Sequence, residues 1–129
     1  MANELILIVE DDEKSRKLVR DVLTVKGYTI VEAETGEKGV RLAQERRPSL
    51  ILMDIRLPGI DGIQALGRLR ADLSTRQIPV LAMTASVMSG DRQRVLGAGF
   101  DAFQSKPIKI KDFVAAVEQL LGRHRKVRA

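Results

Sequence analysis

The stretch LILMDIRLPGIDG, residues 50–62, begins with four apolar residues and places the carboxylate of Asp54 where the apolar run ends. A short apolar run bounded by turn residues is typical of a strand buried on both faces of a parallel sheet. Pro58, Gly59 and Gly62 follow it and predict a loop that leads into a helix. A carboxylate contributes nothing to an apolar core, and a single Asp after a strand is more often a helix cap than a nucleophile, so the role of Asp54 depends on which residues end the other strands.

Four further apolar runs of this kind alternate with amphipathic segments along the chain. Strands are predicted over 5–9, 29–33, 50–53, 80–84 and 102–105. Helices are predicted over 14–26, 35–47, 61–72, 87–98 and 109–121, where apolar residues recur at helical spacing. Five strand–helix units in alternation predict a doubly wound α/β fold with helices on both faces of a parallel sheet.

The ends of the predicted helices are marked by residues with defined capping roles. Asp12, Thr35 and Asp61 are predicted as N-caps, because their side-chain oxygens can accept from free backbone N–H groups. Gly27 and Gly99 stand where a helix closes with a left-handed residue. The helix over 87–98 has the weakest apolar stripe and contains Gly90 and Gly97, so it is expected to be the least anchored.

Composition limits the classes of protein to which the chain can belong. Its 129 residues, 44% apolar and 30% charged, fit one globular domain. The absence of cysteine excludes disulfides and thiolate metal sites. There is no basic leader and no apolar run near the ~20 residues of a membrane span, so we expect a cytoplasmic location.

The net charge of +5 arises mainly at the C-terminus, where the last eight residues hold four basic side chains and no acid. The rest of the chain holds 18 basic and 17 acidic residues. We therefore predict one domain over 1–121, a solvated basic tail over 122–129 and no output domain. Weak contact of the tail with an acidic partner or membrane surface is the alternative. The near-neutral body and 3% aromatic content disfavour a nucleic-acid-binding module.

Polar residues follow four of the predicted strands at the point where each strand ends. Glu10 and Asp11 follow the first strand, Asp54 the third, Thr84 ends the fourth, and Lys106 follows the fifth. The carboxyl ends of parallel strands share one edge of the sheet, and this edge is where open α/β sheets bind ligands. We therefore expect these five side chains to form one site.

The residue types at this edge indicate phosphoryl transfer. Carboxylates ~4 Å apart repel one another by several kcal/mol, so they require a compensating cation. The single histidine, His124, lies in the tail, so the available ligands are oxygens, which select Mg²⁺ or Mn²⁺. A carboxylate nucleophile with a divalent cation, a lysine and a hydroxyl can form an aspartyl phosphate.

The chain resembles the receiver domains of two-component response regulators through four motifs. They are LIVEDD (7–12), LILMDIRLPGIDG (50–62), IPVLAMTA (78–85) and QSKPI (104–108). This resemblance implies the flavodoxin-like, CheY-like fold with strand order 2-1-3-4-5. The run over 78–103, together with VEDD, is also similar to stand-alone cell-cycle regulators of the DivK type and to receivers fused to hybrid kinases.

The resemblance implies a role for each matching residue. Asp54 is the expected phosphoacceptor, and Glu10 and Asp11 are the expected acidic pair for Mg²⁺, with Asp11 the direct ligand. The backbone carbonyl of Arg56 is expected to be a further ligand. Lys106 is expected to contact the phosphoryl group.

The switch residues implied by the resemblance are Thr84 and Phe103, and Pro107 is expected to follow a cis peptide bond. Phe103 stands where the family more often has tyrosine, so this position has no hydroxyl to donate. Arg56, Ala85 and Ser86 are expected to modulate the lifetime of the phosphate.

The implied function is a signalling switch and not a turnover enzyme, although it catalyses its own phosphorylation and dephosphorylation. The expected phosphate donor is a sensor histidine kinase or a histidine phosphotransfer protein. The expected output surface comprises the helix over 87–98, the strand over 102–105 and the helix over 109–121, and it regulates a partner protein. We expect a monomer or a weak phosphorylation-dependent dimer, without a DNA-binding domain.

Three other functions are compatible with this fold class. A flavodoxin-like cofactor binder would need a phosphate-binding loop after the first strand, where this chain has carboxylates. A haloacid-dehalogenase-like phosphatase would need a second aspartate where Arg56 stands. A degenerate receiver that acts as a phosphate-independent scaffold would lack an acid, Asp54 or Lys106.

Overall fold

The computed structural model describes residues 4–85, 93–95 and 97–128, with side chains described up to Gly122. The strands are β1 (Leu5–Val9), β2 (Thr29–Ala33), β3 (Leu50–Asp54), β4 (Val80–Thr84) and β5 (Ala102–Ser105). The helices are α1 (Glu13–Val25), α2 (Gly36–Arg46), α3 (Gly62–Ala71) and the C-terminal helix (Ile110–Arg128). Residues 93–95 and 97, between β4 and β5, are also helical.

The five strands form one parallel sheet in the order β2-β1-β3-β4-β5. This confirms the predicted fold class and strand order. The chain passes from β1 outward to β2 and then returns across β1 to β3. The order therefore reverses between β1 and β3, which is where such sheets place their functional sites.

Successive strand residues alternate between two apolar layers, because side chains along a strand point to opposite faces. One layer packs Leu7, Val9, Ile51, Met53 and Ala82 against α2 and α3. The other packs Ile6, Ile8, Leu50, Leu52, Leu81 and Met83 against α1 and the C-terminal helix. β3 and β4 are buried along their full length, as a strand covered on both faces must be.

The predicted helix caps are confirmed. The side chains of Asp12, Thr35 and Asp61 accept from backbone N–H groups in the first turns of α1, α2 and α3. Gly27 and Gly99 have φ angles of 95° and 105°, the left-handed region expected of them.

One helix boundary differs from the sequence prediction. The C-terminal helix continues to Arg128 instead of ending at 121, because Gly122 is an isolated glycine and no proline follows it. Leu18 remains 43% exposed, so Val19 and Leu23 alone form the buried stripe of α1. Gly90 lies outside the described residues, and no described helix is long and apolar enough to cross a bilayer.

Two helical glycines provide a matched pair for testing how closely α2 packs on the sheet. A Cβ at Gly39 in α2 would lie 2.7 Å from Val9 Cγ2, whereas a Cβ at Gly67 in α3 would meet no atom within 4 Å. We predict that Gly39→Ala lowers the free energy of unfolding by about 1–3 kcal/mol. Gly67→Ala should raise it by about 0.5–1 kcal/mol. Urea denaturation measures both, and equal shifts would contradict the close approach.

Candidate functional site

The polar strand ends meet at one edge of the sheet, as predicted. Val9 pairs with Met53 in register, which places the following residues, Glu10 and Asp54, side by side. Glu10, Asp54 and Thr84 are buried, with 1%, 5% and 2% of their surfaces exposed. These three polar side chains therefore lie almost out of contact with water at the end of an apolar sheet.

A group of three carboxylates lies at this edge. Glu10, Asp11 and Asp54 each offer an oxygen, and the three oxygens lie within 4.8 Å of one another. Asp11 is exposed, so the group opens to solvent on that side. Closely spaced carboxylate oxygens with one side open to water suit a hard divalent cation, which commonly retains several waters. The donor set therefore fits Mg²⁺ or Mn²⁺.

Lys106 joins the two buried carboxylates. Its Nζ donates to Asp54 Oδ2 at 3.1 Å and also to Glu10 Oε1. The backbone N–H of Lys106 donates to the Thr84 carbonyl at 2.8 Å, which ties the residue to the end of β4. The peptide bond between Lys106 and Pro107 is cis, the isomer that the family resemblance implies.

The shifts of the pKa values in this cluster reflect burial and close contact. Burial, together with the neighbouring Asp54 carboxyl, raises the pKa of Glu10 from 4.5 to about 7, even though the hydrogen bonds from Lys106 and from the Asp12 N–H act to lower it. Burial lowers the pKa of Lys106, but its hydrogen bond and charge contacts with Glu10 and Asp54 outweigh this, so that pKa is raised. Lys106 is therefore a cation at neutral pH.

The loop between β3 and α3 folds closely over Asp54. The Arg56 N–H donates to Asp54 Oδ1 at 3.2 Å, and the Gly62 N–H donates to the Ile55 carbonyl at 2.9 Å. A Cβ at Gly62 would lie 2.5 Å from the Asp54 carbonyl oxygen, so only glycine allows α3 to begin this close to the strand. The exposed Arg56 side chain extends from this loop.

The two residues expected to act as a switch, Thr84 and Phe103, lie on β4 and β5. Thr84 borders a cavity of about 350 Å³, whose lining includes Arg56, Asp61 and Val95. Phe103 on β5 is half-buried and packs against the core layer shared with α2 and α3. Ala85 is exposed, whereas Ser86 lies outside the described residues.

Sequence patterns did not indicate two contacts that hold this site in place. Arg16 Nη1 donates to the Glu10 backbone carbonyl at 3.0 Å. A carboxylate oxygen of Glu37 accepts from the Ile60 N–H at 3.3 Å and ties α2 to the β3–α3 loop. Both residues lie on helix surfaces, where charged residues are common, so neither shows a signal of its own in the sequence.

Comparison with known proteins finds the same family that the four sequence motifs resemble. The family model of the response regulator receiver domain matches residues 6–118. The polar-differentiation response regulator DivK of Brucella anthropi is 41% identical over 117 residues, which is 91% of this chain and 95% of the relative. The DivK protein of Brucella ovis is 40% identical over the same shares of the two chains.

Solved structures share the fold. The receiver domain of a sensor histidine kinase from Pseudomonas aeruginosa has a TM-score of 0.87 and 33% identity, and covers 93% of this chain and 98% of its own. It contains a magnesium ion coordinated in the active-site cleft. A CheY-like receiver domain from Methanospirillum hungatei has a TM-score of 0.87 and 25% identity, and covers 96% and 98% of the two chains.

The raised pKa of Glu10 predicts an inverse pH dependence of stability for the metal-free protein. The folded state binds a proton at Glu10 up to pH about 7, whereas the unfolded state releases it near 4.5. Between these values the folded state holds more protons, so its stability falls as pH rises. The loss is at most about 3 kcal/mol, since one pKa unit corresponds to about 1.4 kcal/mol.

Urea denaturation in EDTA at several pH values across this window measures the effect. The Glu10→Gln variant has no titratable group at position 10, so the fall of its free energy of unfolding with rising pH that Glu10 causes should be absent. A wild-type stability that rises across the window, or the same slope in Glu10→Gln, would contradict the assignment.

Proposed function

Because the chain belongs to the response regulator receiver domain family of two-component signalling, we propose that it is a switch operated by phosphorylation of Asp54. The observation that carries this proposal is the buried Asp54 carboxylate at a strand end, beside two further carboxylates and in contact with Lys106. This is the set of groups required to form an aspartyl phosphate and to neutralise its charge.

In the proposed reaction an Asp54 carboxylate oxygen attacks the phosphorus of a phosphohistidine. The new O–P bond forms as the bond from phosphorus to the imidazole nitrogen of the donor breaks. Glu10, Asp11, Asp54 and the Arg56 backbone carbonyl would hold Mg²⁺ or Mn²⁺, which neutralises charge on the phosphoryl oxygens when bound. Lys106, already at Asp54 Oδ2, donates to a phosphoryl oxygen once the acyl phosphate has formed.

The proposed partners follow from this chemistry and from the relatives. The donor is a sensor histidine kinase or a histidine phosphotransfer protein, and the setting is the cytoplasm. The relatives named as DivK regulators support a role as a regulator of a partner protein. The chain is proposed to undergo one phosphorylation and one hydrolysis in each signalling cycle, without turning over a separate substrate.

The proposed output is a change of surface on the β5 side of the site. Phosphorylation adds negative charge beside Thr84, whose hydroxyl then turns to donate to a phosphoryl oxygen. Phe103, half-buried on the edge strand, turns inward to occupy the space that Thr84 leaves. The surface formed by the helix predicted over 87–98, by β5 and by the C-terminal helix then presents a different shape to a partner.

Incubation with Mg²⁺ and acetyl phosphate tests the phosphoacceptor. We predict that mass spectrometry finds one added phosphoryl group, which is absent in EDTA and absent from Asp54→Asn. Asp12→Asn is the matched control, because asparagine is an equally good N-cap and the change removes a neighbouring exposed carboxylate. An adduct that persists in Asp54→Asn would overturn the assignment.

The same proteins test the switch when beryllofluoride serves as a stable phosphate mimic. Amide chemical shifts should change at Thr84 and along β5, as well as in the β3–α3 loop. Shift changes confined to the residues around Asp54 would contradict the proposed coupling to Phe103.

Arg56 and Ser86 are proposed to set the phosphate lifetime, because each stands two residues beyond a residue of the proposed site, Asp54 or Thr84. At this position a side chain can meet the water that attacks the phosphoryl group. We predict that Arg56→Asn and Ser86→Ala change the rate of phosphate loss, measured by the decay of the labelled protein. Arg68→Ala, which changes an exposed arginine on α3, is the control. Unchanged decay in both variants would refute this role.

A further inference from the structure

We propose that Arg16 is a positioning residue that orients the Glu10–Asp11 peptide toward the divalent cation. This inference rests on the proposed function, because it concerns the same cation site. It assigns a role to a residue of α1 that belongs to neither the acidic cluster nor the expected phosphate contacts.

Arg16 joins two elements through two separate nitrogens. Its Nε donates to Glu32 Oε1 on β2 at 3.0 Å, and its Nη1 donates to the Glu10 backbone carbonyl at 3.0 Å. Only 14% of its side chain is exposed. The planar guanidinium therefore spans from a carboxylate on the edge strand to the main chain at the end of β1.

The Glu32 carboxylate that accepts from Arg16 is itself held in place. Arg20 Nη1 donates to both Glu32 oxygens, at 2.8 and 3.0 Å. Glu32 pairs with Ile8 in the parallel register of β1 and β2, so its backbone is fixed by the sheet. The Arg16 guanidinium therefore binds a carboxylate that is itself fixed, and it cannot move freely along the surface of α1.

Glu10 is restrained at each of its polar groups. Its N–H donates to the Ala33 carbonyl at 3.0 Å, and its two carboxylate oxygens accept from the Asp12 N–H and from Lys106. Arg16 restrains the remaining group, the backbone carbonyl. Because a peptide unit is planar, fixing this carbonyl also fixes the N–H of Asp11 and the direction in which Asp11 leaves the strand.

The sign of the effect on metal affinity separates positioning from simple electrostatics. A guanidinium close to the acidic cluster repels a divalent cation, so loss of its charge alone would strengthen Mg²⁺ binding. Loss of positioning would weaken binding, because Asp11 is exposed and would sample orientations that do not face the cation.

The test is a titration with Mg²⁺ alone, followed by the amide shifts of the acidic loop and by calorimetry. Arg16→Lys keeps the charge, but its single ammonium cannot span both acceptors, and we expect Mg²⁺ affinity about tenfold weaker. Arg16→Met should weaken binding to a similar extent. Arg20→Lys, which perturbs the same Glu32 ion pair without a contact to Glu10, should change affinity less than about twofold.

Glu32→Gln provides a second test that leaves Arg16 in place. It removes the charge that orients the guanidinium, and it should weaken Mg²⁺ binding in the same direction but to a smaller extent. Thermal unfolding is measured in parallel, because a merely structural Arg16 would lower the melting temperature while Mg²⁺ affinity stayed constant in the folded variants.

Equal Mg²⁺ affinity of wild type and Arg16→Lys, or tighter binding by Arg16→Met, would overturn the positioning role and leave the proposed function intact. A wild-type protein that binds no Mg²⁺ at millimolar concentration would overturn the metal site of the proposed function, and this inference with it.

Discussion

The contact of one ammonium group with two buried carboxylates is the interaction on which the site depends. Glu10 and Asp54 end neighbouring strands in an almost water-free position, where their mutual repulsion would be severe. Lys106 reaches both of them from the far side of β4. One cation offsets only part of the charge of the three carboxylates, so the cluster remains suited to a divalent cation on its exposed side.

The fold provides this arrangement by bringing separate strand ends to one edge and then fixing the chain that follows each of them. Asp12 caps α1 and also donates its N–H to Glu10, while Gly62 lets α3 begin against the carbonyl of Asp54. Arg16 and Glu37 add restraints from helix surfaces. The site is therefore held mainly by hydrogen bonds from backbone groups and helix starts, which explains how short loops can carry closely spaced charges.

Much of the architecture could be predicted because it depends on local patterns. The bounds of four strands, the caps at Asp12, Thr35 and Asp61, and the left-handed glycines all follow from residue types within a few positions. β3 extends one residue beyond its predicted end, to Asp54. A prediction was wrong where the local signal for the end of a helix was weak. The C-terminal helix was predicted to end at 121, but it passes Gly122 without a stop and continues to Arg128.

The sequence alone determined the kind of protein, because hydrophobic periodicity specifies the strand–helix alternation and four motifs specify the family. It also identified the acidic residues, the hydroxyl and the lysine of the candidate site. Only the tertiary structure decided which carboxylates share Lys106, how far the pKa of Glu10 is raised, and that Arg16 reaches the Glu10 carbonyl. These properties depend on distances between residues far apart in the chain and on burial, and no local pattern encodes either.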